Sequence, residues 1–205
     1  MYTNIESFSS KLIQEFDSIP VERKKILEKF SAYISSQLSQ NKLVQLNYIC
    51  THNSRRSHFG QVWASVAARY YKINNVLSFS GGTEVTAFNP NAIAALKNIG
   101  FNISTVKEGS NPVYEVRFDD KHEPVICFSK VYNDAANPTH GFAAIMTCSD
   151  AEENCPFVEG AELRISTTYD DPKTFDNTPQ QEEKYLERCK QIGLETFYVF
   201  SKVII

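Results

Sequence analysis

Short apolar runs alternate with helical periodicity from Leu43 to the end of the chain, and that alternation leaves few folds open. Leu43 to Ile49 and "FAAIM" (Phe142 to Met146) are too short for buried helices and too continuously apolar for strands wetted on one face. Between them, Ser57 to Tyr71 has helical spacing with Val62, Val66 and Ala67 inward, and Val76 to Ser80 is a short strand ending at Gly81 and Gly82. Asn89 caps "PNAIAALKNI", Pro90 fills its first turn, and Gly100 stands just past its end. Thr178 and Pro179 open a final helix carrying Tyr185, Leu186, Cys189, Ile192 and Leu194. Buried strands separated by helices predict an α/β fold, a three-layer sandwich around a mainly parallel sheet. In such sheets ligands bind beyond the carboxyl ends of the strands, where Cys50 and Cys148 both stand.

Two segments lie outside this pattern. Residues 1–42 form a helical extension: Ile5, Phe8, Leu12, Ile13 and Phe16 share one helix face, and after Pro20 so do Val21, Ile26, Leu27, Phe30, Ile34 and Leu38. These helices pack on the domain or on a second subunit. Within the domain of residues 43–205, an insertion at about 106–140 carries "VYEVRF" and "VICFSK" around "DDKHEP", the pattern of an antiparallel β-hairpin.

Composition narrows the class. The net charge of −3 and the lack of any block of like charge point away from nucleic acid, and no apolar run approaches the ~18 residues needed to span a bilayer. The first residues lack a basic stretch followed by an apolar core, so a cytoplasmic protein is expected. Five scattered cysteines (Cys50, Cys127, Cys148, Cys155, Cys189) are too few for a disulfide scaffold; in a reducing compartment they are packing or reactive groups. The four histidines (His52, His58, His122, His140) have no ligand spacing with the cysteines, so no metal is expected.

The stretch "CTHNSRRS" carries the chemistry. A loop between a strand and a helix N-terminus presents unpaired amides in the positive end of the helix dipole, a ready site for oxyanions. A thiol in that field gives up its proton readily. Arg56 offers a planar fork for two oxyanion oxygens, Ser57 a hydroxyl donor to the sulfur, and Asn53 tolerates the left-handed backbone that aims amides inward.

This loop resembles the phosphate-binding loop of the low-molecular-weight protein tyrosine phosphatases and of the thioredoxin-coupled arsenate reductases. Cys50, Asn53, Ser54, Arg56 and Ser57 match its pattern of Cys, five residues, Arg, Ser. "SFSGGTEVTAFNPNAIAALKNIGFNIS" is similar to the family's second strand and helix, and "YDDPKTFD" contains its Asp-Pro pair. The resemblance covers roughly residues 43–104 and 143–199, not the first helices or the insertion. It implies oxyanion binding by Thr51, His52, Asn53, Ser54, Arg55, Arg56 and Ser57, nucleophilic attack by Cys50, and protonation of the departing oxygen by Asp171, with Asp170 as its rival. His52 replaces the usual glycine, and Arg55, expected to point outward, stands where many members carry a second cysteine. Lys173 and Thr174 take the place of the tyrosines that often follow Asp-Pro in tyrosine phosphatases.

"TCSDAEENCP" resembles the arsenate reductase segment whose two cysteines form a redox relay, which places Cys148 and Cys155 in those roles. Ser149 with Glu152 reads as a capping box for one short helix that Pro156 ends. Seven helical positions separate two Cα atoms by about 10 Å, and a disulfide needs roughly 4.4–6.8 Å, so the helix must unwind before the two join. Cys127 and Cys189 are read as packing. The resemblance implies an arsenate reductase with no bound cofactor and thioredoxin as external reductant. A phosphomonoester hydrolase acting on phosphotyrosine would use the same Cys50, Arg56 and Asp171; a non-catalytic oxyanion- or redox-sensing module is the reading from outside enzymology.

Overall fold

The computed structural model describes residues 1–154 and 157–204. Its elements run α1 (Thr3–Gln14), α2 (Val21–Ser39), β1 (Val44–Cys50), α3 (Arg56–Tyr70), β2 (Val76–Gly82), α4 (Pro90–Ile99), β3 (Asn102–Lys107), β4 (Val113–Arg117), β5 (Val125–Cys127), β6 (Phe142–Met146), α5 (Ser149–Asn154), β7 (Ala161–Ser166) and α6 (Gln181–Ser201). Strands β2, β1, β6 and β7 stand in that order, all parallel, as the alternation predicts. No helix among the described residues is long and apolar enough to cross a membrane.

Side chains alternate across this sheet between two cores. Leu46, Tyr48, Ala143 and Ile145 join the larger one, built with Trp63 of α3, Phe197 of α6 and Ile34 of α2. Ile49, Phe142, Ala144 and Met146 turn to a smaller one, closed by Ala151 of α5 and by Val158. Each large side chain so buried contributes about 1.5–3 kcal/mol. Helix α3 lies hard against β1 because residue 60 is glycine: a Cβ there would come within 2.7 Å of Tyr48 Cγ and Cε1. That close approach fixes the start of α3 over the end of β1.

Both N-terminal helices pack on this chain's own core. Ile5, Leu12, Leu27, Phe30 and Ile34 are buried, whereas Val21 is exposed, contrary to its expected place on the inward face. Arg23 ties α2 to α6 through Glu195 at 2.7 Å, and Glu195 also accepts the Tyr169 hydroxyl at 2.8 Å.

Three further expectations change. The inserted hairpin, β4 with β5, is joined by β3, so the inserted part is a three-stranded antiparallel sheet in the order β3-β4-β5 that starts at Asn102. Strand β7 lay in a stretch where no strand was expected; it is an edge strand whose Glu162 is exposed and whose Arg164 is half-buried, which hides its core-facing Ile165 in a polar context. Helix α6 begins at Gln181, because the Thr178 hydroxyl accepts the Gln180 amide at 3.3 Å and closes a turn ahead of it.

Candidate active site

The loop from Cys50 to Ser57 joins β1 to α3 with its carbonyls turned outward. Thr83 donates to Cys50 O at 3.2 Å, Glu84 to Thr51 O at 2.8 Å and Asn89 to Ser54 O at 2.9 Å. No amide from His52 to Ser57 is spent on an acceptor among the described residues, which leaves those donors to an anion. Asn53 takes the left-handed conformation its residue type tolerates, with φ of 42°.

A directed chain of hydrogen bonds ends on the Cys50 sulfur. The Lys130 amide donates to Asn53 Oδ1 at 2.9 Å, which orients the side-chain amide. Asn53 Nδ2 therefore donates to Ser57 Oγ at 2.9 Å, so the Ser57 hydroxyl proton is left for Cys50 Sγ, 3.1 Å away.

Arg56 is almost fully buried. Its Nη1 donates to Tyr169 O at 2.7 Å and its Nη2 to Asp171 Oδ2 at 2.6 Å, while Nε is buried without a partner. An unpaired guanidinium donor inside the loop is the group an oxyanion oxygen would satisfy. Asp171 also accepts the Lys173 amide at 3.0 Å; Asp170 is almost fully exposed and turns to Arg188 at 3.5 Å, so the two carboxylates are distinguished by position. Cys50, His52, Ser54, Arg55, Arg56 and Asp171 wall a shallow, tight depression at the mouth of the loop.

Arg55 does not point outward. It is 9% exposed; its Nε donates to the Tyr185 hydroxyl at 2.8 Å, which donates in turn to Asp176 Oδ1 at 2.7 Å. Its guanidinium lies 3.8 Å from Asp171 Oδ1 and 3.7 Å from Asp176 Oδ2. Both arginines thus face Asp171. Tyr185, read from the sequence as packing, is also a polar strut for the loop.

The remaining loop side chains divide. His52 lies at the rim, with Nε2 3.5 Å from Glu84 Oε2, while its carbonyl accepts the hydroxyls of Ser129 and Thr86, both at 2.9 Å. The Ser54 hydroxyl donates away to Ala87 O at 2.7 Å, leaving its amide as the group that faces the site. Thr51 Oγ1 lies 3.4 Å from Cys148 Sγ.

Cys148 is fully buried at the end of β6, beside the loop. The capping-box expectation needs correction: Cys148 itself caps α5, its sulfur accepting the Ala151 amide at 3.4 Å, and Glu152 turns to Arg164 of β7 at 2.8 Å. Cys155, the expected third member of the relay, lies outside the described residues. Cys127 and Cys189 are fully buried, and burial pushes both thiols up to about 12, as packing residues would show.

Comparison with known proteins agrees with this geometry, although no family model matches the chain. An arsenate reductase from Bacillus subtilis is 26% identical over 155 residues, 75% of this chain and 91% of that protein. One from Brevibacillus brevis is 30% identical over 125 residues, 61% of this chain and 74% of that protein. In fold, a low-molecular-weight phosphotyrosine phosphatase from Vibrio cholerae superposes with a TM-score of 0.53 at 12% identity, covering 77% of this chain and 95% of the other. A strand-loop-helix unit with cysteine and arginine six residues apart, on a four-stranded parallel sheet, and a relative 30% identical over 74% of its own length lead to one assignment: the chain belongs to the arsenate reductase family, on the fold shared with the low-molecular-weight phosphotyrosine phosphatase.

Proposed function

We propose that the chain reduces arsenate through Cys50, Cys148 and Cys155, with thioredoxin restoring the thiols. The observation that carries this reading beyond oxyanion binding is the position of Cys148: fully buried, against Thr51 of the loop, with its sulfur at the start of a six-residue helix. Ester hydrolysis gives that thiol no task.

The Cys50 thiolate attacks arsenic in an arsenate held by the loop amides and Arg56, and the departing oxygen takes a proton from Asp171 and leaves as water. The Cys148 thiolate then attacks Cys50 Sγ. The sulfur–arsenic pair of electrons stays on arsenic, arsenite departs, and a Cys50–Cys148 disulfide remains. Cys155 attacks Cys148, freeing Cys50, and the dithiol of thioredoxin reduces the Cys148–Cys155 bond. For Cys148 to reach out, α5 must loosen, which breaks the Glu152–Arg164 pair.

A phosphomonoester hydrolase is supported by the same Cys50, Arg56 and Asp171 arrangement, which is complete without Cys148. Cys148→Ser separates the two: arsenate turnover with a thioredoxin system is expected to vanish, and aryl phosphate hydrolysis, if present, to persist. Arsenate turnover that survives the change would defeat the relay. A protein inactive on both substrates in its native form would instead support the binding-module reading.

A further inference from the structure

Away from the loop, a groove of about 580 Å³ runs between the outer edge of β2 and the outer edge of β5, where the central sheet meets the inserted one. Its volume falls in the range of small-molecule sites, roughly 300–1,000 Å³. Apolar groups dominate its walls: Ile73, Leu77, Phe79, Ile126 and Phe128, with Leu77 and Ile126 nearly half exposed.

One charge stands at its buried end. Lys130 is 4% exposed, with its ammonium 4.4 Å from the centre of the Phe128 ring. Of its three N–H donors, one reaches Phe128 O at a long 3.5 Å, and no carboxylate among the described residues lies within ion-pair distance. Burial holds the ammonium below its ordinary value, with Cys127 and then Asp134 opposing that. A buried cation with two idle donors is costly unless something brings an anion to it.

The two edges are too close to admit a peptide strand. Gln61 Nε2 donates to Ser78 O at 3.4 Å and Ile126 O at 3.2 Å, so those carbonyls lie within about 7 Å, whereas an intervening strand needs about 9.5 Å. Arg69, Lys72, His122 and Glu123 also line the groove, but Lys130 is the cation buried beside the Phe128 ring, where apolar walls suit a ligand with one charged end. We propose that this groove binds a small apolar monocarboxylate, its carboxylate on Lys130 and its apolar body along Leu77, Phe79, Ile126 and Phe128.

Octanoate serves as the probe, titrated calorimetrically into the full chain beside octanol and octylamine. Saturable octanoate binding is expected, at least tenfold tighter than either uncharged or cationic analogue, and undisturbed by saturating phosphate at the Cys50 loop. Lys130→Met is expected to weaken octanoate at least tenfold. Leu77→Glu, at an exposed position, keeps Lys130 in place but sets a carboxylate in the groove, and is expected to do the same; it decides the matter alone if Lys130→Met fails to fold. No saturable binding, equal affinity for octanol, displacement by phosphate, or full affinity in Leu77→Glu would overturn the proposal.

Discussion

Replacing Asp171 by Asn should move binding and turnover in opposite directions. The carboxylate sits 2.6 Å from Arg56 Nη2 and 3.8 Å from Arg55 Nε, with a quarter of its side chain exposed. An oxyanion seated in the loop shares Arg56 with it. Two unit charges 4 Å apart interact by about 1 kcal/mol in water and about 4 kcal/mol near a protein surface. Partial exposure and salt bring the repulsion between Asp171 and a bound dianion to about 1–2 kcal/mol. Removing that charge should tighten phosphate by about 5- to 30-fold. The same change removes the proton donor, which should slow arsenate chemistry by about 10²–10⁴-fold. Phosphate affinity can be read from protection of Cys50 against iodoacetamide, and chemistry from the single-turnover loss of free thiols after mixing with arsenate. Weaker phosphate binding would mean that Asp171 orients Arg56 rather than opposing the anion. An unchanged thiol-loss rate would remove it from the proton-donor role.

Arg56→Lys keeps charge but loses the bond geometry to Tyr169 and Asp171, so phosphate protection of Cys50 should fall at least tenfold. Arg55→Lys, with its link to Tyr185 broken, should cost about 1–2 kcal/mol in urea unfolding, and an unchanged midpoint would refute a structural role for that contact. His58 is fully buried, and burial with nearby Lys130 pushes it down to about 3. Between its free value near 6.5 and that one, only the unfolded chain takes the proton, so folding stability should drop by about 1.4 kcal/mol per pH unit from pH 6 to pH 4 relative to His58→Gln. Gly60→Ala gains about 1 kcal/mol of helix propensity but drives a methyl into the buried Tyr48 ring, at a cost near the upper end of the usual 1–3 kcal/mol. A net loss of about 2 kcal/mol in chemical denaturation is expected, and a gain would show that the ring can yield.

What the sequence disclosed was whatever local geometry settles. Cys50, Asn53, Arg56 and Ser57 lie within one turn of loop and helix, so spacing alone brings them together. Arg55 was misread because its partner Tyr185 is 130 residues away, and no pattern near Arg55 announces it. Strand β7 escaped because an edge strand need satisfy only one neighbour, so "AELRIS" carries surface polarity between its apolar positions. The cap of α5 was placed one residue late because caps are sought among oxygen-bearing side chains, and here the acceptor is sulfur. The three-stranded form of the insertion depends on β3, whose place is set by pairing with β4 rather than by a pattern of its own.

The His52 carbonyl and the Asn53 side-chain oxygen are held by Ser129 and Lys130, 77 positions downstream, and Arg56 by Tyr169 and Asp171, more than 110 positions downstream. During synthesis, then, Cys50 emerges long before the groups that shape its surroundings. Loop closure over such separations is slow compared with forming α3 itself. In refolding, helical signal should return first, and the ability of phosphate to shield Cys50 should return last, in step with burial of Tyr169. The loop geometry is therefore a late and whole-chain property, so saturating phosphate, if the loop takes it as proposed, should stabilise the entire fold rather than its first half.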